Sequence, residues 1–375
     1  MNETIRSLFP AAEKYVYLNS AAVAPLPKPA IDAVLSQLND VSANGSTHFS
    51  NWIATKQRAR ELVAEMLGVR AEQIAFMRNT SDGFASIANG IKWKSGDNIV
   101  SFAREFPANY IPWRMIRDRF GVELRLVPEI DGGRFSVDEM IALIDENTRI
   151  VAVSAIQYSS GFVADLERIG SAARKADALF AVDIIQGFGA RGYDLPSQFV
   201  DVAAGASHKW LCSPEGCGIL YLSDRARERV EPTHVGWISL ETPWDFEDTE
   251  QPYKPNALAW ESGTGASSLF FGLEQSLLLL KDAGPANIQE YLDGLSETLC
   301  EMLREKPYDI ISSRIPAERS AIVCIKHRGG IASSEIAERL ERENIIVSPR
   351  GDRLRIAPHF FNNVEDIERL VAALP

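Results

Sequence analysis

Residues 203–221, AAGASHKWLCSPEGCGILY, contain one lysine, Lys209. It follows Ser207-His208 and precedes a glycine-containing turn and the apolar run 218–222. Upstream, a second short strand-like run, 179–183 (LFAVD), ends in an acid, Asp183. A lysine placed after an apolar strand can hold an aldehyde as a Schiff base. An aspartate at a neighbouring strand end can keep a pyridine nitrogen protonated, so that the ring takes up electrons. These are the two groups that pyridoxal phosphate (PLP) chemistry requires. The same residues also fit an exposed loop lysine and an ordinary strand-end acid, so the pair needs support from the rest of the chain.

That support comes from the elements around it. Strand-like runs at 15–18, 74–77, 97–102, 122–127, 148–156 and 178–182 alternate with helix-spaced segments at 28–43, 51–67, 84–90, 110–120 and 166–175. Such alternation predicts an α/β fold with a mostly parallel sheet covered on both faces. Ser81, Phe106, Gln157, Asp183 and Lys209 all fall at or just after strand ends, where ligands bind in open α/β sheets. The turn 78–83 (RNTSDG) sits between a strand and a helix start, the arrangement that presents free N–H groups to a phosphate. Thr80, Ser81 or Asp82 can equally serve there as a helix cap. The small-residue loop 19–27 (NSAAVAPLP) allows close approach, and 44–48 is a turn that reaches towards the site. Residues 1–14 read as a short amphipathic helix.

After 221 the pattern changes. Residues 231–260 are loop-like, 261–265 (ESGTG) form a tight polar turn, and a long apolar helix follows at 267–281. Helices at 286–305 and 332–343, strands at 308–313, 320–326, 345–348 and 353–357, and a closing helix at 364–374 predict a smaller α+β domain. The expected division is a large domain at 15–265 and a small one at 266–375, with 1–14 packed nearby.

Composition narrows the class. The chain has 375 residues, 46% of them hydrophobic and 24% charged, with a formal net charge of −12. The acidic balance disfavours nucleic acid and anionic membrane surfaces. The first residues lack the basic start and apolar core of a signal peptide, and no stretch reads as a membrane span, so the expected location is cytoplasmic. Cys212, Cys217, Cys300 and Cys324 do not make a disulfide framework, and the histidines do not cluster at metal-ligand spacing, so no metal is expected.

The ordered set of motifs, from Tyr15 to the C-terminus, resembles the class V aminotransferase group of fold-type I PLP enzymes. That group includes cysteine desulfurases, selenocysteine lyase, kynureninase and isopenicillin N epimerase-like proteins. The resemblance implies a large domain with a mostly parallel seven-stranded sheet and a smaller C-terminal domain. It makes Lys209 the internal aldimine and the base that shuttles the substrate α-proton, and Asp183 the pyridinium partner. It assigns Thr80 and Ser81 to the phosphate cup, with Ser207 and His208 beside it. Phe106 takes the place of the residue stacked on the ring, and Gln186 lies near the cofactor's 3′ oxygen. Arg355, in the run 353–363 (RLRIAPHFFNN), matches the arginine that forks onto the substrate carboxylate, with Asn19 and Ala21 near it. Arg353 reads as a surface charge. Gly263 and Thr264 resemble the segment that reaches a neighbouring subunit's phosphate, which implies a homodimer with composite sites.

Two departures bear on the reaction. Desulfurases carry a nucleophilic cysteine shortly before the carboxylate arginine, and 347–352 (VSPRGD) has none; Cys324 reads as a buried strand residue. Tyr158, or Gln157 if the alignment slips by one, stands where many relatives have asparagine. The expected function is therefore a PLP enzyme acting on a small amino acid through an α-carbanion, with class V aminotransferase leading. A cysteine/cystine-type C–S lyase is the alternative, an isopenicillin N epimerase-like activity comes third, and a non-catalytic PLP-fold partner is the reading from another class. Trp52, His48, Tyr110, Trp237 and the acidic 241–250 loop are candidates for the side-chain pocket.

Overall fold

The computed structural model describes residues 3–375. The first two residues of the expected 1–14 helix lie outside them. The rest of that segment is two short helices, Glu3–Arg6 and Ala11–Lys14. Pro10, which has no N–H to donate, stands between them.

The main sheet has seven strands: β1 (Ile74–Met77), β2 (Asn98–Phe102), β3 (Glu123–Val127), β4 (Thr148–Ser154), β5 (Leu179–Asp183), β6 (Val202–Ala206) and β7 (Gly218–Leu222). Their order across the sheet is β1-β7-β6-β5-β4-β2-β3. Strands β6, β5, β4, β2 and β3 pair in parallel, while β7 runs antiparallel between β6 and β1. This is the mostly parallel α/β architecture expected from the alternation.

The central strands are mostly apolar because both faces are covered. Phe76, Val100, Val151, Val153, Phe180 and Val182 enter one core cluster. Their neighbours Ala75, Ile99, Ile150, Ala152, Leu179 and Ala181 enter the other. This is the period of two that a pleated strand imposes. Small residues on β6 and β7 let one helix come very close. A Cβ on Gly83 would meet that of Ala204 at 3.2 Å, and one on Gly218 would lie 2.5 Å from the Asn79 nitrogen. The turn 78–79 is therefore pressed against the start of β7. The helix it opens spans Thr80–Gly90, one turn earlier than the expected 84–90.

The long apolar helix, Ser267–Ala283, packs along Lys28–Asn44 and Phe49–Leu67. Phe270 meets Phe76 with ring centroids 4.7 Å apart, and the Ser276 hydroxyl donates to the Cys212 carbonyl at 2.8 Å. These contacts tie the helix to the main-sheet side. The C-terminal part carries a four-stranded antiparallel sheet in the order Tyr308–Ile310, Val323–His327, Arg353–Ile356, Ser348–Arg350. The expected strand at 345–348 divides. Ile345–Ile346 pairs in parallel with Val16–Tyr17, and Ser348–Arg350 forms a hairpin with Arg353–Ile356. The N-terminal segment is bound to the same side by the Arg6–Asp366 ion pair at 2.7 Å and by Phe9 stacked 4.5 Å from Phe361.

One buried charge cluster ties the long helix Phe49–Leu67, strand β1 and the 261–265 turn together. Glu261 accepts from Arg60 at 2.7 Å, from Lys56 at 2.5 Å and from the Phe76 N–H at 2.9 Å. Burial alone would raise its pKa, but Arg60 and Lys56 outweigh burial and hold it at about 2. A carboxyl held that low contributes stability above its ordinary value of 4.5 and loses that contribution as pH falls towards about 2. Glu261→Gln should lower unfolding free energy at neutral pH by on the order of 3 kcal/mol, because it leaves a buried guanidinium without its counter-charge. In urea titrations the gap between wild type and variant should close between pH 4.5 and 2; a constant gap would show that the charge is not the cause.

Candidate active site

Strands β1, β2, β4, β5 and β6 all deliver residues to one cavity at their carboxyl ends. It has a volume of about 280 Å³ and is lined by Ala21, Ala22, Asn79, Thr80, Ser81, Phe106, Ala108, Tyr158, Asp183, Ile185, Gln186, His208, Lys209, Arg350 and Arg355.

Asp183 ends β5 and is fully buried. Its Oδ1 accepts from the Ile185 N–H at 2.9 Å, while Oδ2 is buried without a partner. Burial pushes its pKa up to about 6, opposed by that hydrogen bond and by the charge of Lys209. Lys209 follows β6 and is 7% exposed. Burial brings its pKa down to about 8; Asp183 opposes that shift, and Arg355 and Arg350 reinforce it. Its Nζ lies 5.3 Å from the centre of the Phe106 ring, and Tyr158 packs edge-on against that ring at 5.1 Å.

The helix over the cavity is capped by Asn79, whose side chain accepts from the Asp82 N–H at 2.9 Å. The cap is therefore none of Thr80, Ser81 and Asp82. That leaves Thr80 Oγ1 buried and unpartnered at the cavity wall. Arg355 lies on the strand Arg353–Ile356 and is 1% exposed. Its Nη1 donates to the Tyr158 carbonyl at 3.1 Å, while Nε and Nη2, the edge that forks onto a carboxylate, have no partner. Burial brings its pKa down to about 10, and the charge of Arg350 adds to this.

These orphaned groups fit PLP and an amino acid. A bare carboxylate oxygen suits a pyridinium N–H, and a bare hydroxyl at a helix start suits a phosphate. A bare guanidinium edge suits a carboxylate. Gln186 is partly committed: it donates to the Ala21 carbonyl at 3.0 Å and accepts from Trp210 Nε1 at 3.0 Å. One amide N–H remains at the cavity.

Other expected residues lie elsewhere. Ser207 is buried with its hydroxyl on the Pro214 carbonyl at 2.5 Å, away from the cavity lining. Asn19 bridges to Ala357 beside the Arg355 strand, and its Oδ1 is buried without a partner. Gly263 and Thr264 line a separate cleft with Lys56, Arg78 and His234. Of the alternatives at 157 and 158, Tyr158 faces the cavity, while Gln157 turns inward. Trp52, His48, Tyr110 and Trp237 are not on the lining. Trp237 instead belongs to an aromatic group with Trp244 and Phe246, and Trp52 packs on Phe49. Arg353 is not a solvated surface charge: it is 12% exposed and paired with Glu129, which also pairs with Arg104.

Sequence reasoning missed two residues. Glu105, fully inside the protein, accepts from the Ser154 N–H at 2.7 Å, from the Ser154 hydroxyl and from Gln157 Nε2 at 2.8 Å. Burial raises its pKa to about 7 despite these bonds. It thereby fixes the segments carrying both Phe106 and Tyr158. An acid in a loop reads as solvated, so nothing in the chain signalled it. Arg350 is the second. It lies on the segment expected to be a loop, which is a hairpin strand facing the cavity. All four cysteines are buried and none lines the cavity. Cys324 pairs across the sheet with Arg355, and burial pushes its thiol up to about 11.

The family model described as aminotransferase class-V matches residues 16–368. A "probable cysteine desulfurase" of Methanothermobacter thermautotrophicus is 28% identical, covering 98% of this chain and 96% of its own. The uncharacterized aminotransferase YcbU of Bacillus subtilis is 23% identical over 98% and 96%. In fold, the chain is similar to the cysteine desulfurase CsdA of Escherichia coli, with TM-score 0.88, 24% identity and coverage of 100% and 97%. It is equally similar to the cystine C–S lyase C-DES in complex with cysteine persulfide, with TM-score 0.88, 23% identity and coverage of 97% and 98%. The chain belongs to the class-V aminotransferase family, and its cofactor is pyridoxal phosphate.

Proposed function

We propose that this protein transfers the α-proton of a small amino acid and thereby catalyses transamination. The observation that carries the reading is the convergence of Lys209, the bare oxygen of Asp183 and the bare edge of Arg355 on one cavity. Bound PLP supplies an electron sink for charge that develops at the substrate α-carbon. Asp183 Oδ2 would accept from the pyridine N–H and keep it protonated. Thr80 Oγ1 and the free N–H groups of the helix start, with Ser81 and His208 beside them, would hold the phosphate. Phe106 would cover the ring, and Gln186 would donate its remaining N–H near the 3′ oxygen. Arg355 would fork onto the α-carboxylate through Nε and Nη2, with Asn19 and Ala21 bordering that end. Lys209, whose pKa burial lowers to about 8 so that a fraction of it is neutral at physiological pH, would hold the cofactor and then carry the α-proton. Its desolvated position keeps water from competing for that proton.

A second reading, β-elimination at a C–S bond, is favoured by one observation: no thiol lines the cavity, so a sulfur substrate would have to lose its sulfur without a protein nucleophile. Gly263 and Thr264 would serve the partner's phosphate in a homodimer. Support for that is the exposed apolar face of Lys28–Asn44, where Leu35 and Leu38 are each 50% exposed. No helix among the described residues is long and apolar enough to cross a membrane. The free cysteines suit a reducing compartment, so we place the protein in the cytoplasm.

Absorbance of the holoprotein during addition of single L-amino acids tests the reading. Transamination requires a cofactor shift that a keto acid reverses. Pyruvate and sulfide released from cystine, without keto acid, would favour the lyase reading instead. Lys209→Ala should give neither response. Arg355→Ala should lower kcat/KM at least ~30-fold, the cost of leaving a carboxylate without its buried partner. Capture of PLP by the apoprotein needs neutral Lys209, so its rate should rise with pH around a midpoint of about 8. A midpoint near the ordinary lysine value of 10.5 would contradict the desolvated position.

A further inference from the structure

The hairpin formed by Ser348–Arg350 and Arg353–Ile356 carries three arginines on one face. Arg350 lies directly opposite Arg353, and Arg355 is two residues beyond Arg353 on the same side of the pleat. Like charges placed opposite one another on a sheet are destabilising. Arg353 is neutralised by Glu129. The other two have no carboxylate partner among the described residues. Arg350 makes one hydrogen bond, to the neighbouring Pro349 carbonyl at 2.9 Å, and is half-buried on the cavity wall. The acid beside it offers no relief: Asp352 turns away to Lys326 at 2.7 Å and lies 3.8 Å from Arg353. With Lys209, the cavity has three cationic side chains on its wall and one carboxylate, Asp183. Asp183 ends β5, away from the hairpin, and its free oxygen is the one suited to a pyridinium.

The α-carboxylate of a substrate satisfies one of the two hairpin arginines, and the cofactor phosphate belongs to the Thr80 helix start, which leaves Arg350 without a counter-charge. We propose that Arg350 recognises a carboxylate-type anion on the substrate side chain, so that the substrate is an amino acid with a second acidic group. This rests on the reading above that Arg355 takes the α-carboxylate. Tyr158 borders both sites. Its backbone carbonyl orients Arg355, its side chain lies on the cavity wall, and its hydroxyl is close enough to Arg350 to influence it electrostatically.

Dicarboxylates without an amine isolate this point from the reaction. Holoprotein would be titrated calorimetrically with succinate and glutarate, and with butyrate and valerate as monocarboxylates of the same lengths. At least one dicarboxylate should bind about tenfold or more tightly than its monocarboxylate, the scale of one charge-assisted pair. Arg350→Gln should bring that ratio within about twofold, and Arg350→Lys should recover part of it. All three proteins should keep the cofactor band, so that a folding defect is visible. A wild-type ratio below about twofold, no binding of either class, or a preference that survives Arg350→Gln would overturn the proposal. The lysine variant keeps the test decisive if the glutamine variant fails to fold. Amino-acid additions to the same samples, read by absorbance, judge the catalytic reading separately. An Arg350-dependent preference with no amino-acid response would leave the anion site standing and remove the proposed reaction.

Discussion

Everything at this site depends on a balance between burial and opposite charge at Asp183 and Lys209. Each group alone would be driven towards its neutral form in the interior. Each also helps to hold the other charged, so neither shift runs to its limit. The lysine lies near 8 and the aspartate near 6, both within reach of physiological pH. The two are set by adjacent parallel strands, Leu179–Asp183 and Val202–Ala206, whose register pairs Asp183 with Ala204. Backbone hydrogen bonding therefore fixes the separation on which the electrostatics rest.

The C-terminal part completes this site rather than merely covering it. His359 donates through Nε2 to the Trp210 carbonyl at 2.9 Å and accepts at Nδ1 from the Phe360 N–H at 2.7 Å. Burial lowers its pKa to about 4, so it holds this link as a neutral ring. Trp210 follows Lys209 directly and bonds Gln186, which in turn bonds the Ala21 carbonyl. A continuous chain of hydrogen bonds thus joins the hairpin end, the lysine segment and the N-terminal loop. A shift of the small sheet would be felt at both the lysine and the arginine.

Glu105 performs the corresponding task on the other wall. Its three accepted hydrogen bonds hold the end of Thr148–Ser154 and the following segment. Phe106 and Tyr158 are thereby kept edge to face. A buried acid used in this way is costly, which is consistent with its raised pKa, and the cost is met by bonds that no exposed loop would offer.

The sequence alone determined the α/β class, the strand-end placement of Lys209, Asp183, Phe106 and Ser81, and Arg355 as the carboxylate-binding candidate through its motif. These are legible because strand pattern and local order are written in consecutive residues. The helix cap was left open because Asn79, Thr80, Ser81 and Asp82 are all competent by type; only backbone geometry chose Asn79 and freed the Thr80 hydroxyl. Arg353 and Arg350 look alike in the chain. Tertiary packing gave Glu129 to one and an open cavity to the other, because the choice depends on residues more than two hundred positions away. Gln157 and Tyr158 were separated in the same manner, by a buried Glu105 reaching back from an earlier loop. Local pattern decides which face a side chain leaves from; which partner it meets is decided by long-range packing.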